Sequence, residues 1–303
     1  MKNARKWLLI IFVMINYNLF SQEMEIGEFL GLEGVRLCWQ SWHPAEPPKA
    51  VIVLMHGGNN YSDMELFRNF AGELTDAGYC VYSFDQRGFG RSEGIRMHMG
   101  KWENIRGDYA AFLHFIRIKE GDEIKIFAIG SSFGALQTLD QGIVSPHLLS
   151  GVIVMSVSTI PLKIPFPFNI LLPVAGTLFP KSTISAEPLE SFSGAKTLLP
   201  ENNLWADPLC PATQTYGNLK ELLKRQKQIP DDLKYLTVPI LHLQGEKDTI
   251  ALVDQTLLEK CSSTDKTYHK YPNAEHEMLA SIDKEQIMFD IISWLDERID
   301  IME

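Results

Sequence analysis

Residues 124–136 read Ile124-Lys125-Ile126-Phe127-Ala128-Ile129-Gly130-Ser131-Ser132-Phe133-Gly134-Ala135-Leu136. The run at 124–129 is apolar and β-branched and reads as a strand; residues 133–144 carry a helical pattern. Between them stands Gly-x-Ser-x-Gly, in the strand–turn–helix setting that this motif requires. A turn this sharp puts its central residue in a strained conformation, and side chains at the flanking positions would strike neighbouring backbone. Such a turn lifts the Ser132 hydroxyl above the sheet edge. The helix that follows aims its positive end at the same place, where a developing oxyanion would sit. The bland alternative is an ordinary strand-to-helix turn that uses glycine for packing.

Strand and helix patterns alternate on both sides of this turn. Residues 35–41, 51–55, 79–84, 152–155, 239–244 and 267–271 read as strands. Residues 62–77, 102–119, 254–261 and 282–297 read as helices, with Gly78 as a stop signal for the first. The continuous apolar run at 51–55 suits a strand buried on both faces. Such alternation predicts an α/β fold, a mostly parallel sheet flanked by helices. The rhythm lapses from 158 to 236, a proline-containing stretch, and then resumes. The expected organisation is a core at 22–157, an inserted lid at 158–236, and the rest of the core at 237–303. Pro165, Pro167 and Pro173 interrupt any long helix in the apolar part of the insertion.

A serine hydroxyl is a weak nucleophile until a base takes its proton, and histidine suits that task near neutral pH. His276 lies in Pro272-Asn273-Ala274-Glu275-His276-Glu277, just after the last expected strand. Strand carboxyl ends are where sheet enzymes place working groups. His242 and His269 fall inside strands. His43, His56, His98, His114 and His147 read as structural or solvated. The base also needs an acid that holds its tautomer. Asp248, in Gly245-Glu246-Lys247-Asp248, follows a strand; its rival Asp254 stands where a helix N-cap is expected. The order Ser132, Asp248, His276 is the one expected for a sheet hydrolase. His56-Gly57-Gly58-Asn59 ends the strand at 51–55, and small residues there let backbone N–H groups approach a substrate oxygen. The N–H groups of Gly58 and Phe133 are the expected oxyanion donors.

The 303 residues are 45% hydrophobic and 22% charged, which excludes a disordered chain, a collagen and a coiled coil. A formal charge of -10 argues against a nucleic-acid partner. Lys2, Arg5 and Lys6, the apolar run from Trp7 to Ile15 and then Ser21 have the order of a secretory signal peptide over residues 1–21. Export is therefore expected, with an uncleaved membrane anchor as the alternative. Cys38, Cys80, Cys210 and Cys261 either pair in an oxidising compartment or serve as small buried hydrophobes.

Together, Gly57-Gly58, Asp85-Gln86-Arg87-Gly88-Phe89-Gly90-Arg91-Ser92, Gly130 to Gly134, Gly245 to Asp248 and Ala274-Glu275-His276 resemble the α/β-hydrolase fold. More narrowly, they resemble the monoacylglycerol lipase and lysophospholipase group, often catalogued with serine aminopeptidases. The resemblance covers roughly residues 30–297, and Ala206-Asp207-Pro208-Leu209 is similar to that group's lid segment. It implies cleavage of carboxylic esters through an acyl-enzyme by Ser132, Asp248 and His276, with neither metal nor organic cofactor. It also implies that Asp85 to Ser92 is a structural turn. One departure stands out: Asn59-Asn60-Tyr61-Ser62 replaces the group's usual Gly-Glu-His, which puts glycerol as leaving group in question. The lid residues Leu162, Ile164, Phe166, Phe168, Ile170, Leu171, Leu172, Val174, Leu178 and Phe179 are apolar. They suit an acyl pocket, contact with a lipid surface, or plain core packing. The expected partner is a small acyl ester such as a monoacylglycerol or lysophospholipid. A peptidase or amidase using the same triad is the enzymatic alternative, and a non-catalytic binding protein the other.

Overall fold

The computed structural model describes residues 23–161, 164–185, 207–209, 211, 213–251 and 256–300. The expected signal peptide, Leu162, Ala206, Cys210 and Asp254 lie outside the described residues.

Eight strands form one sheet: β1 (Glu23–Leu30), β2 (Arg36–His43), β3 (Val51–Met55), β4 (Cys80–Phe84), β5 (Ile126–Ser131), β6 (Gly151–Met155), β9 (Ile240–Gly245) and β10 (Lys266–Tyr271). Their spatial order is β1-β2-β4-β3-β5-β6-β9-β10. β2 pairs antiparallel with β1 and β4, and all other neighbours are parallel. The α/β expectation therefore holds, including the parallel centre. β1 is an addition that the strand pattern from residue 35 onward did not include.

Helices cover both faces: α1 (Glu65–Asp76), α2 (Trp102–Glu120), α3 (Phe133–Val144), and α7 (Lys284–Asp300). Strand alternation decides which core each residue joins. Val51, Val53 and Met55 pack with Tyr109, Phe112 and Leu136, whereas Ile52 and Leu54 pack with Phe67, Phe70 and Trp294. The first helix begins at Glu65, later than its apolar spacing suggests. Ser62 is taken by another partner: its N–H and hydroxyl both donate to Asp85, at 2.8 and 2.6 Å.

Between β6 and β9 the chain builds α4 (Phe168–Leu178), α5 (Tyr216–Asp232) and a two-stranded ribbon of β7 (Thr183–Ser185) and β8 (Thr213–Thr215). Pro173 lies inside α4 and Pro230 in the last turn of α5. α4 packs closely on α5, since a Cβ on Gly176 would fall 2.7 Å from the Tyr216 carbonyl oxygen. A short helix, α6 (Leu257–Lys260), follows β9. No helix among the described residues is long and apolar enough to cross a membrane.

A buried charge couples the insertion to the core. Asp140 of α3 accepts from Trp102 Nε1 at 2.6 Å and from Arg106 Nε and Nη2 at 2.6 and 2.8 Å. Arg225 of α5 is ion-paired with it at 2.5 Å, and the Asp140 and Arg225 side chains are almost fully shielded. Asp140→Ala leaves buried Arg225 with Asp232, at 2.5 Å, as its remaining ion-pair partner. Loss of the shared carboxylate should cost about 1.5–3 kcal/mol of folding stability, read as a lower urea midpoint. A loss below about 1 kcal/mol would mean that the arginines find other partners.

Candidate active site

β5 delivers the chain to Ser132, whose backbone takes φ +54° and ψ −115° before α3 begins at Phe133. Positive φ at a side-chain-bearing residue is costly, and packing on either side holds it there. A Cβ at Gly130 would lie 2.3 Å from the Gly134 carbonyl oxygen, and one at Gly134 2.3 Å from that of Met55. The Ser132 N–H donates to the Met155 carbonyl at 2.9 Å, which ties the turn to β6.

The structure brings the three expected side chains together. His276 Nε2 lies 2.8 Å from Ser132 Oγ, and His276 Nδ1 lies 3.1 and 3.0 Å from the two Asp248 carboxylate oxygens. With Asp248 as acceptor, Nδ1 carries the proton and Nε2 is left to accept from the serine hydroxyl. The Asp248 side chain is fully shielded. It accepts from the N–H groups of Ile250 and Ala251 at 2.8 and 2.9 Å and from Gln244 Nε2 at 3.2 Å. Burial alone would raise its pKa. The hydrogen bond from His276, the attraction between the two groups and the two backbone donors outweigh burial and hold the carboxyl below its ordinary value. The loops carrying Asp248 and His276 are packed as a unit: Lys247 N–H donates to Ala274 O at 3.0 Å, and a Cβ on Gly245 would meet that oxygen at 2.4 Å.

Ser156 is a supporting residue that the sequence did not reveal. It follows β6 with φ +50°, and its hydroxyl donates to the His276 carbonyl at 2.8 Å. A serine in an unremarkable stretch carries no motif, so its position became evident only from the folded chain.

Gly58 lies beside Phe133: a Cβ on Gly58 would be 3.8 Å from that of Phe133. Phe133 is the first residue of α3, so its N–H has no acceptor within the helix. Fully buried His56 braces this turn. Its Nδ1 donates to the Gly57 carbonyl at 2.9 Å, and its Nε2 accepts from the Gln86 N–H at 3.2 Å. Burial holds the His56 pKa below the ordinary imidazole value, which suits a neutral bracing ring. His242 is a core residue, as its place in a strand suggested, and burial pushes its pKa down to about 4.

Asp85 to Ser92 is a structural turn. Asp85 accepts from Ser62 and from the Arg91 N–H and Nε at 2.8 and 3.1 Å, and a Cβ on Gly90 would fall 2.3 Å from its carboxylate. The segment that departs from the lipase pattern is tied to the insertion. Asn59 Nδ2 donates to the Pro211 carbonyl at 3.2 Å, Gln214 donates to Asn59 Oδ1, and Tyr61 donates to Asp207 at 2.8 Å.

The family described as "Serine aminopeptidase, S33" matches residues 46–283. Caffeoylshikimate esterase of Arabidopsis thaliana is 27% identical over 280 residues, covering 87% of this chain and 83% of that protein. Monoacylglycerol lipase of Mycolicibacterium smegmatis is 25% identical over 275 residues, covering 88% and 95%. Human monoglyceride lipase is 26% identical over 287 residues, covering 90% and 91%. Among solved structures, the monoacylglycerol lipase of Paleococcus ferrophilus superposes with a TM-score of 0.70 at 22% identity, covering 91% of this chain and 99% of that one. At that identity the likeness speaks to the fold, which is the α/β-hydrolase fold. With most of its length matched by the family, the chain belongs to the serine aminopeptidase S33 family of α/β hydrolases.

Proposed function

We propose that the protein is a serine hydrolase that cleaves carboxylic esters of medium or long acyl chains, monoacylglycerol-like or lysophospholipid-like, through an acyl-enzyme. The observation that carries this reading is the Ser132–His276–Asp248 chain, with contacts of 2.8 and 3.0 Å, set beside the Gly58–Phe133 turn. His276 takes the Ser132 proton as Oγ attacks the carbonyl carbon. The negative charge that collects on the carbonyl oxygen is met by the N–H groups of Gly58 and Phe133 and by the positive end of α3. His276 then protonates the departing alkoxide. In the second half it takes a proton from water, which attacks the acyl carbon and restores Ser132. Asp248 keeps Nδ1–H toward itself and stabilises the imidazolium in both halves. Ester hydrolysis is also the activity named for the esterase and lipases of similar sequence.

The apolar character of the insertion supports the acyl preference. Phe166, Phe168, Ile170, Leu171, Val174, Leu178 and Phe179 are exposed, a concentration of apolar side chains that suits a cap which meets acyl chains or a lipid surface. Asn59 and Tyr61, bonded to Pro211, Gln214 and Asp207, tie the segment that departs from the lipase pattern to the insertion, which keeps glycerol as leaving group in question. The order of basic, apolar and small residues over 1–21 supports export. The second reading, an aminopeptidase or amidase, rests on the family's description. A panel of p-nitrophenyl esters of increasing chain length beside aminoacyl amides separates the two. The ester reading predicts turnover rising with chain length; efficient amide cleavage without ester cleavage would replace it.

Ser132→Ala should lower kcat by several orders of magnitude, on the order of 10⁶ where a triad acts as a unit. The urea midpoint should stay close to that of the wild type. Substantial turnover in this variant would mean that another group attacks the ester.

A proton on His276 blocks the base step, so kcat/KM should fall on acidification. Asp248 is held below the ordinary carboxyl pKa, so it stays charged through that fall and is not its cause. Asp248 accordingly contributes stability above the unfolded carboxyl range, and that contribution fades only as the pH drops through its lowered folded value. A rate that does not fall as the solution is acidified would remove His276 from the base role.

Ile170→Ser with Leu171→Ser should reduce hydrolysis of vesicle-borne monoacylglycerol about tenfold while a short soluble ester is turned over as before. Equal loss on both substrates would remove these residues from any role in meeting acyl chains or a lipid surface.

A further inference from the structure

A second cluster of reactive side chains lies at the opposite rim of the sheet. The triad stands at strand carboxyl ends, whereas Cys80 is the first residue of β4 and His43 the last of its antiparallel neighbour β2. The register pairs Trp42 with Val81, so His43 comes to rest against Cys80, with His43 Nδ1 3.3 Å from Cys80 Sγ. Glu120, the last residue of α2, completes the group: a nitrogen, a sulfur and a carboxylate oxygen all within 4.8 Å of one another.

We propose that His43, Cys80 and Glu120 form a binding site for a divalent transition-metal ion of the zinc class, remote from the catalytic triad.

The donor set is the first support. Thiolate, imidazole and carboxylate together suit a borderline-soft ion and discriminate against magnesium and calcium, which prefer oxygen alone. Spacing is the second. Zinc bonds of about 2.0–2.3 Å in a tetrahedron place ligand atoms roughly 3.3–3.7 Å apart. The His43–Cys80 pair, at 3.3 Å, already has that separation, and the Glu120 carboxylate lies within 4.8 Å of both. The outer contacts are the third. Ser41 Oγ lies 2.8 Å from His43 Nε2 and accepts its proton, which turns the Nδ1 lone pair toward Cys80. Tyr82 donates its hydroxyl to Glu120 and so orients that carboxylate. Partners of this kind orient ligands in established metal sites.

Charge also fits. A divalent ion that binds here would displace the Cys80 thiol proton, forming the metal–sulfur bond and releasing one H⁺ to solvent. The thiolate and Glu120 then balance the two positive charges. Glu25 is engaged by Lys119 at 2.6 Å and is not counted among the donors. Cys80 is fully buried, while His43 and Glu120 are half-buried and provide the route in.

The test is a titration of the full chain with Co²⁺, followed by displacement with Zn²⁺. One equivalent of Co²⁺ should produce a thiolate-to-cobalt charge-transfer band, with about one proton released per ion, and Zn²⁺ should abolish the band. Cys80→Ser should remove the band, and Cys38→Ser should leave it. Glu120→Gln should weaken binding by at least about tenfold with ester hydrolysis at the wild-type rate. If Cys80→Ser does not fold, His43→Gln carries the test through loss of the band. No band in the wild type overturns the site, and so does a band that survives Cys80→Ser or His43→Gln.

Discussion

The backbone of Ser132 is the point on which everything else depends. Its φ of +54° is unfavourable for a residue with a side chain. The conformation survives because the surrounding strands and helix leave no alternative. Gly130 and Gly134 press against neighbouring backbone, and the Ser132 N–H is bonded to β6. The sheet thus stores a small strain so that one hydroxyl projects from its edge beside the start of a helix.

The remaining parts converge on that hydroxyl by topology. β3, β5, β6 and β9 are neighbours, so loops distant in sequence meet at their carboxyl ends. The turn after β3 supplies Gly58, the turn after β6 supplies Ser156, and the loop after β9 supplies Asp248. His276 arrives from the loop after β10 and is held by the Ser156 hydroxyl. Asp248 is buried, yet its pKa is held below the ordinary carboxyl value because protein donors replace the water it has lost. One ion-paired core, Asp140 with Arg106 and Arg225, ties α5 to α2 and α3.

Much of this was legible in the amino-acid order. Apolar runs at β3, β5 and β6 mark strands buried on both faces, and Gly-x-Ser-x-Gly marks the turn between β5 and α3. Asp248 and His276 were legible because each follows a strand. β1 escaped although Glu23–Leu30 alternates acidic with apolar residues, itself a strand pattern, because it lies immediately after the segment with export character. Its Gly27 is explained only by the fold, where the Trp39 indole occupies the space of a side chain. The start of α1 escaped because Ser62 is diverted by Asp85, 23 positions away. Contacts of that kind, like His43 with Cys80 or Tyr61 with Asp207, join residues whose spacing carries no periodic signal. The insertion was legible as a break in rhythm, while its helices were obscured by the prolines inside them.

The most direct measurement is covalent capture with a fluorophosphonate probe, followed by peptide mapping of the adduct. Phosphonylation at Ser132 Oγ, abolished by Ser132→Ala and strongly slowed by His276→Ala, is the result that a working relay of these side chains requires. An adduct mapped to a different residue, or labelling of His276→Ala as fast as the wild type, would contradict it.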